Sequence, residues 1–371
     1  MTKKSTIRSL LLLLLPAAIF FGSCNDKPDL TADYKNITIS YAILNVQDPV
    51  HYFKIYKGYL TDENALVQAS DWDNIYYPMD SIEVRLEEYN YNGAMTFSDI
   101  LDTTTVIPKD EGYFANPRQL LYYSTRQLDP ERKYRLVIKQ VNTGKEIYAE
   151  TLLVGTCKMR QPISQNPFNS KDDNGPKFLI TGEGSVSAKD MNAAICDFYL
   201  TFHYLEIDNT TGERSHKTLT RKMNSSYRTP KTDGDIDFDG FKPTTLLHFL
   251  AQHIQENDNV TRYVDTVDGL PYFCMEIEAW MANDHFRIYQ QVANPNTSIV
   301  QNRLEYTNFV SEDNDAYGIL ASRNSVRRLF KFDNTEGKNN EDSLVRGSIT
   351  GKLNFDFYRN SPEFVDLSSQ K

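Results

Sequence analysis

The chain has 371 residues, with 40 Lys and Arg against 50 Asp and Glu, a formal net charge of −10 and 40% hydrophobic side chains. An acidic balance repels nucleic acid and anionic membrane surfaces, and no basic patch overrides it, which sets nucleic-acid binding aside. The length suffices for two or three domains that each bury a core.

Lys3, Lys4 and Arg8 precede an apolar run from Leu10 to Phe21, followed by Gly22, Ser23 and Cys24. A run this short does not span a bilayer, which needs about 20 apolar residues. Small residues before a cysteine suit a lipoprotein peptidase, and the thiol suits diacylglycerol transfer. Residues 1–23 therefore read as a lipoprotein signal peptide and Cys24 as the lipidated residue of an outer-membrane protein. An ordinary cleaved signal is the alternative, since Phe21 stands where leucine is more usual. Residues 24–36 are polar, contain Pro28, and read as a tether.

From residue 37 the hydrophobic period becomes two. Ile37, Ile39, Tyr41 and Ile43 alternate with smaller or polar residues, and so do Phe53 with Ile55, Ile82 with Val84 and Leu86, and Tyr134 with Leu136 and Ile138. Shorter pieces around Val106, Leu121 and Tyr148 bring the count to about seven strands, and Asn142-Thr143-Gly144-Lys145 reads as a turn between two of them. This spacing predicts an antiparallel sandwich of immunoglobulin or fibronectin-III type over 37–155. Leu128, Pro130 and Tyr134 fit the corner of such domains, where a tyrosine hydroxyl bonds back to the preceding loop; the alternative is a plain strand-edge aromatic.

Residues 156–176, with Pro162, Pro167 and Pro176, read as a linker to a β-rich domain over 177–360 that carries one or two helical insertions, with 361–371 as a tail. Cys196, Phe198, Leu200, Phe202 and Tyr204 share one face of a long strand, which turns at Asn209-Thr210-Thr211-Gly212 into a polar return. Phe273, Met275, Ile277 and Ala279 form another strand. Pro243 opens a helix through Gln255, with Leu246, Leu247, Leu250 and Ile254 at helical spacing, and a second helix is expected from Asp284 to Val292. Cys157, Cys196 and Cys274 are an odd set, and pairing of Cys196 with Cys274 is left open.

Chemistry-bearing patterns are few. Asp235, Asp237, Asp239 and Gly240 match the opening of a Ca2+ loop, but Leu246 stands where the bidentate glutamate belongs, and a solvent-edged strand with a turn fits equally. His248 and His253 are five apart on a helix and diverge, and no spacing suits zinc. Glu276 and Glu278 share a strand face about 7 Å apart, side by side and not opposed across a substrate. No nucleophile elbow, zinc-protease motif or phosphate loop occurs. Trp72, Tyr76 and Tyr77 lie in a polar stretch that reads as a loop, where flat rings suit a sugar or protein partner; the alternative is that they cap the sandwich.

The lipoprotein box, the Tyr41-Ala42-Ile43-Leu44 strand, the Leu128-x-Pro130 corner, and Tyr306-Thr307-Asn308 with Gly318-Ile319-Leu320-Ala321-Ser322-Arg323 together resemble a family of Bacteroidetes surface lipoproteins of unknown function. The resemblance implies an N-terminal sandwich, a β-rich C-terminal part and association with TonB-dependent outer-membrane receptors. It supplies no catalytic residues. Where relatives have a short glycine-rich turn after the asparagine, this chain has Ser311, Glu312, Asp313, Asn314 and Asp315. Asp26 and Asp29 partly resemble a surface-export signal, which favours the cell surface over the periplasmic face. The expected function is a non-enzymatic binding or accessory part of TonB-dependent nutrient uptake, with a glycan as candidate ligand. The alternatives are an envelope-assembly or adhesion component and a carboxylate-based hydrolase.

Overall fold

A computed structural model describes residues 36–58, 64–110, 118–169, 175–183, 191–230, 233–293 and 305–365. The signal segment, Cys24, Asp26 and Asp29 lie outside these residues. The first half contributes β1 (Thr38–Leu44), β2 (His51–Lys57), β3 (Ile82–Tyr89), β4 (Met95–Ile100), β5 (Asp102–Thr104), β6 (Leu121–Ser124), β7 (Lys133–Gln140) and β8 (Glu146–Leu152). The second half adds β9 (Cys157–Gln161), β10 (Lys177–Gly182), β11 (Ile195–Asp208), β12 (Arg214–Tyr227), β13 (Ile236–Asp239), β14 (Val260–Val264), β15 (Met275–Ala282), β16 (Phe309–Val310) and β17 (Ala316–Phe330). Short helices accompany the sheets, among them α1 (Trp72–Ile75), α2 (Pro243–His253), α3 (Asp284–Ala293) and α4 (Asn340–Arg346).

The fold is mostly β, with mixed sheets and short helices. A nine-stranded sheet runs β12-β11-β15-β17-β1-β2-β6-β5 with β14 also on β11; a five-stranded sheet runs β16-β8-β7-β3-β4; and β13-β10-β9 form a third. The antiparallel immunoglobulin-type sandwich expected over 37–155 is not how these strands are arranged. β1 lies parallel to β17, Thr38 opposite Ala316 through Leu44 opposite Ser322, so strands from both ends of the chain share one sheet. Alternation within a strand specifies its faces but not its neighbour, which is why the parallel pair is absent from the sequence reading.

The tyrosine corner does form. Tyr134 is fully buried; its hydroxyl accepts the Asp129 N–H at 2.8 Å and donates to Glu88 at 2.9 Å. The two expected hairpins also form, β7–β8 through Gly144 and β11–β12 through Gly212, both glycines at positive φ. α2 buries Leu246, Leu247 and Leu250 as its spacing requires.

Two cores result, and neither respects the expected linker. Phe309, Ala316 and Leu320 complete the first core, whose other members all come from residues 42–153. The side chain of Asn308 clamps this return, donating to Leu320 O at 2.8 Å and accepting from Leu320 N–H at 3.0 Å. Cys157, Met159 and Phe168, placed in the linker by composition, belong to the second core. Asn166 is buried and donates to Asp333 at 2.7 Å, while its carbonyl accepts from Asn340 at 2.7 Å. Polar residues that satisfy one another inside the protein look like linker residues by composition alone. Cys157, Cys196 and Cys274 are all buried free thiols, so Cys196 and Cys274 do not pair.

β1 buries its small face. Thr38, Ser40, Ala42 and Leu44 face the core, whereas Ile39 is half-buried and Tyr41 and Ile43 are 37% and 38% exposed. The bulky face of the first strand is therefore the outer face of the large sheet, partly covered by α3, a helix with no fully buried residue.

Candidate functional site

That outer face forms a groove. A cavity of about 550 Å³ lies between β1, β17 and α3, lined by Ile37, Ile39, Tyr41, Tyr289, Tyr306 and Tyr317. A second, of about 630 Å³, continues over β2; it shares Ile39 and Tyr41 with the first and adds Lys54, Tyr56, Ile75 and Lys109. A third, of about 670 Å³, shares Lys57 with the second and reaches Trp72, Tyr76 and Tyr77. Tyr41 meets Tyr289 edge-on with ring centroids 6.3 Å apart, and Tyr76 lies 5.5 Å from Tyr56 and 4.2 Å from Trp72.

Burial, reinforced by the Tyr289 hydroxyl and Glu305, pushes the Tyr41 phenol up to about 12, and burial beside Tyr76 does the same for Tyr56. These phenols stay protonated at neutral pH and can both donate and accept. The Tyr306 hydroxyl lies 2.7 Å from His285 Nδ1, and burial lowers the His285 pKa, which favours the neutral ring. The groove thus offers flat apolar rings with neutral hydroxyl tips.

The aromatic trio singled out from the sequence sits at the far end of this groove, but not as an exposed loop. Asp71 caps α1 by accepting the Asp73 N–H at 3.0 Å, and the turn delivers Tyr76 and Tyr77 inward. Tyr76 and Tyr77 are 3% and 7% exposed, and the Tyr77 hydroxyl is 2.7 Å from Thr38 Oγ1. Trp72 is half-buried against the first core. Both tyrosines are thus packed into the first core and not presented on an open loop. Tyr56, Tyr289, Tyr306 and Tyr317 complete the groove from other elements, and the sequence signal for the groove lies in β1 alone. β1 has its large residues on one face and Thr38, Ser40 and Ala42 on the other, and a strand sealed by small residues can leave its bulky face for a ligand.

Asp235, Asp237 and Asp239 are exposed along β13, alternating with buried Ile236 and Phe238, and Asp237 pairs with Lys177 at 3.3 Å. Carboxylates two apart on an extended strand stand about 7 Å apart and do not converge on one ion. Gly240 is explained by backbone approach: a Cβ there would lie 1.9 Å from Pro176 O. The strand reading therefore replaces the Ca2+ loop. Glu276 and Glu278 lie on the open sheet face, with Glu276 tied to Arg327 at 2.8 Å and to His203 at 3.4 Å.

Among the described residues, one trio could hold a metal ion, namely His216, Asp265 and Glu363, with donor atoms within 4.8 Å of one another. His216 Nδ1 already faces Asp265 at 2.8 Å and Nε2 faces Glu363 at 3.8 Å, and the Asp265 hydrogen bond raises the His216 pKa. A carboxylate on each ring nitrogen accounts for the cluster as an ion pair.

A fourth cavity, of about 400 Å³, is lined by Tyr272, Asp333, Glu341, Asp342 and Arg359, among others. Glu341 is buried and held by the Tyr358 N–H at 2.6 Å, and burial pushes its pKa from 4.5 up to about 7. The folded state then holds the proton more tightly than the unfolded state, so stability is full below about pH 4.5 and falls as pH rises toward 7. Relative to wild type, Glu341→Gln should gain up to about 3 kcal/mol between pH 4.5 and 8 in urea unfolding. A difference that stays constant over this range would show that Glu341 does not titrate in that window.

No family model matches this chain, and no curated protein does. Among solved structures, trypsin-activated α2-macroglobulin from Escherichia coli aligns at 10% identity with a TM-score of 0.17, over 68% of this chain and 15% of that one. The same Escherichia coli protein activated by porcine elastase aligns at 11% identity and a TM-score of 0.17, over 67% of this chain and 18% of that one. Likenesses this low carry no inference about fold or function.

Proposed function

We propose that this protein is a lipid-anchored component of the outer membrane, facing the cell surface, that holds a carbohydrate chain in the tyrosine groove and serves TonB-dependent nutrient uptake without catalysing a reaction itself. The anchor reading is supported by the basic start, the apolar run and Gly22-Ser23-Cys24. The observation that carries the binding reading is the pair of adjoining cavities that share Ile39 and Tyr41. Flat rings stack on the apolar faces of sugar rings, and neutral hydroxyls exchange hydrogen bonds with sugar hydroxyls, so a row of tyrosines suits a neutral polysaccharide better than a charged ligand.

The test is affinity electrophoresis of the protein in gels cast with soluble starch, xylan, pullulan or mucin glycans. Retardation by at least one of these is expected, with a loss of about tenfold or more in Tyr41→Ala combined with Tyr289→Ala, since rings at the centre of a contact carry most of its energy. The melting temperature should move little, because neither ring is fully buried. Absence of retardation throughout, or retardation unaffected by the double substitution, refutes the reading. Release of short oligosaccharides would favour a carboxylate-based hydrolase instead, with the cavity at Asp333 and Glu341 as the place to look.

A further inference from the structure

β12 ends the nine-stranded sheet. Its strand neighbour among the described residues is β11 alone, and all 14 of its residues are exposed or half-exposed. Soluble proteins usually keep edge strands short, covered or distorted, because a row of free amides and carbonyls is a template for another strand.

The free groups can be assigned. On β11, the His203 N–H donates to Cys274 O at 2.8 Å, away from β12, whereas the Asp208 N–H donates to Glu213 O at 3.0 Å, toward the returning strand. Even-numbered residues from Leu200 to Asp208 therefore face β12, and their partners there are odd-numbered, as Tyr204 opposite Lys217 illustrates. Arg214, His216, Thr218, Thr220 and Lys222 consequently turn their N–H and C=O groups away from the sheet.

Charge narrows the choice of occupant. Between Glu213 and Asp233 the sequence has no acidic residue, yet Arg214, Lys217, Arg221, Lys222 and Arg228 are all basic, a local exception to the patch-free acidic surface expected of a chain whose net charge is −10. A second copy docked edge to edge would bring this basic strand against itself, and like charges on opposing strands are destabilising. Lys217 and Lys222 pair with Glu206 and Asp197 on β11 at 3.5 and 2.8 Å, and Arg214 with Glu363 at 3.6 Å, but all three cations remain about half exposed, and such surface pairs hold little energy against a competing carboxylate.

We propose that β12 receives an extended acidic segment of a partner protein as a tenth strand of this sheet. Backbone hydrogen bonds to the even-numbered residues would supply the binding energy. Carboxylates opposite Lys217 and Arg221 on one face, and Arg214 and Lys222 on the other, would set the register. The site lies at the far end of the sheet order from β1 and β2, so it does not depend on the tyrosine groove.

The test uses the full chain in detergent, titrated by fluorescence anisotropy with a labelled decapeptide of alternating Thr and Glu and with its Thr and Lys counterpart. The acidic peptide should bind and the basic one should not, and affinity should fall about tenfold on moving from low to physiological salt. Thr218→Pro removes an outward N–H while leaving the β11 ladder intact, so it should abolish binding at an unchanged circular dichroism spectrum. Should that variant fail to fold, Arg221→Glu provides the second arm. The Arg221 guanidinium lies over the Phe249 ring, 5.6 Å from its centre, at the surface of the sheet, and the substitution should weaken binding several-fold. Equal binding of the two peptides, no binding of the acidic peptide, or affinity unchanged in a folded variant overturns the proposal.

Discussion

Gly318→Ala is expected to disrupt the large sheet, with a loss of more than about 4 kcal/mol in urea unfolding. Gly318 sits in β17 at φ +109°, and a Cβ built there would lie 1.8 Å from Ser40 O and 2.7 Å from Ser40 C on β1. Both atoms are backbone, so no side-chain rotation relieves the contact, and the strained φ adds to it. The β1–β17 seam would have to open, and with it the joint between the two cores, since Leu320 in the first core and Phe330 in the second lie on the same strand. Gly144→Ala is the matched control: φ is +70° there, but no atom lies within 4 Å of the added Cβ, so the loss should stay at about 1–2 kcal/mol. If the two variants lose the same amount, β1 and β17 are not in close parallel contact.

The same seam shows what the sequence could reveal and where it fell silent. Local features were legible: the β7–β8 and β11–β12 hairpins, the α2 spacing of Leu246, Leu247 and Leu250, and the Tyr134 corner all depend on residues a few positions apart. Pairings between distant segments were not. Nothing in Tyr41-Ala42-Ile43-Leu44 names β17 as its neighbour, although Gly318 within the second half of the family-like pattern marks the backbone approach once the structure is known. Composition misled where polar residues satisfy one another, as Asn166, Asp333 and Asn340 do in the expected linker. At β1 the alternation is legible but not which face is buried, and here the small residues point to the core, inverting the usual rule that the larger apolar face is buried. The groove results from that inversion, and the rings of Tyr289 and Tyr306 reach it from a helix and a loop whose position no local period encodes.

Tyr76→Ala combined with Tyr77→Ala is expected to lower stability by several kcal/mol, at about 3–5 kcal/mol for a buried aromatic ring. Both rings are buried in the first core, and loss of Tyr77 also leaves Thr38 Oγ1 without its 2.7 Å partner at the start of β1. Trp72→Ala alone should lose less, since one side of that ring is open to the third cavity and to Arg118, whose guanidinium lies 5.7 Å from the ring centre. Thermal or urea unfolding measures the stability effect, and affinity electrophoresis in the polysaccharide gels measures binding on the same variants. If Trp72→Ala abolishes retardation at nearly full stability while Tyr41→Ala with Tyr289→Ala does not, the ligand occupies the Trp72 end of the groove. If the Tyr76 and Tyr77 pair is removed with little loss of stability, the packing of α1 against the first core is wrong. The two outcomes separate cleanly because the stability effect depends on rings facing inward and the binding effect on rings facing out.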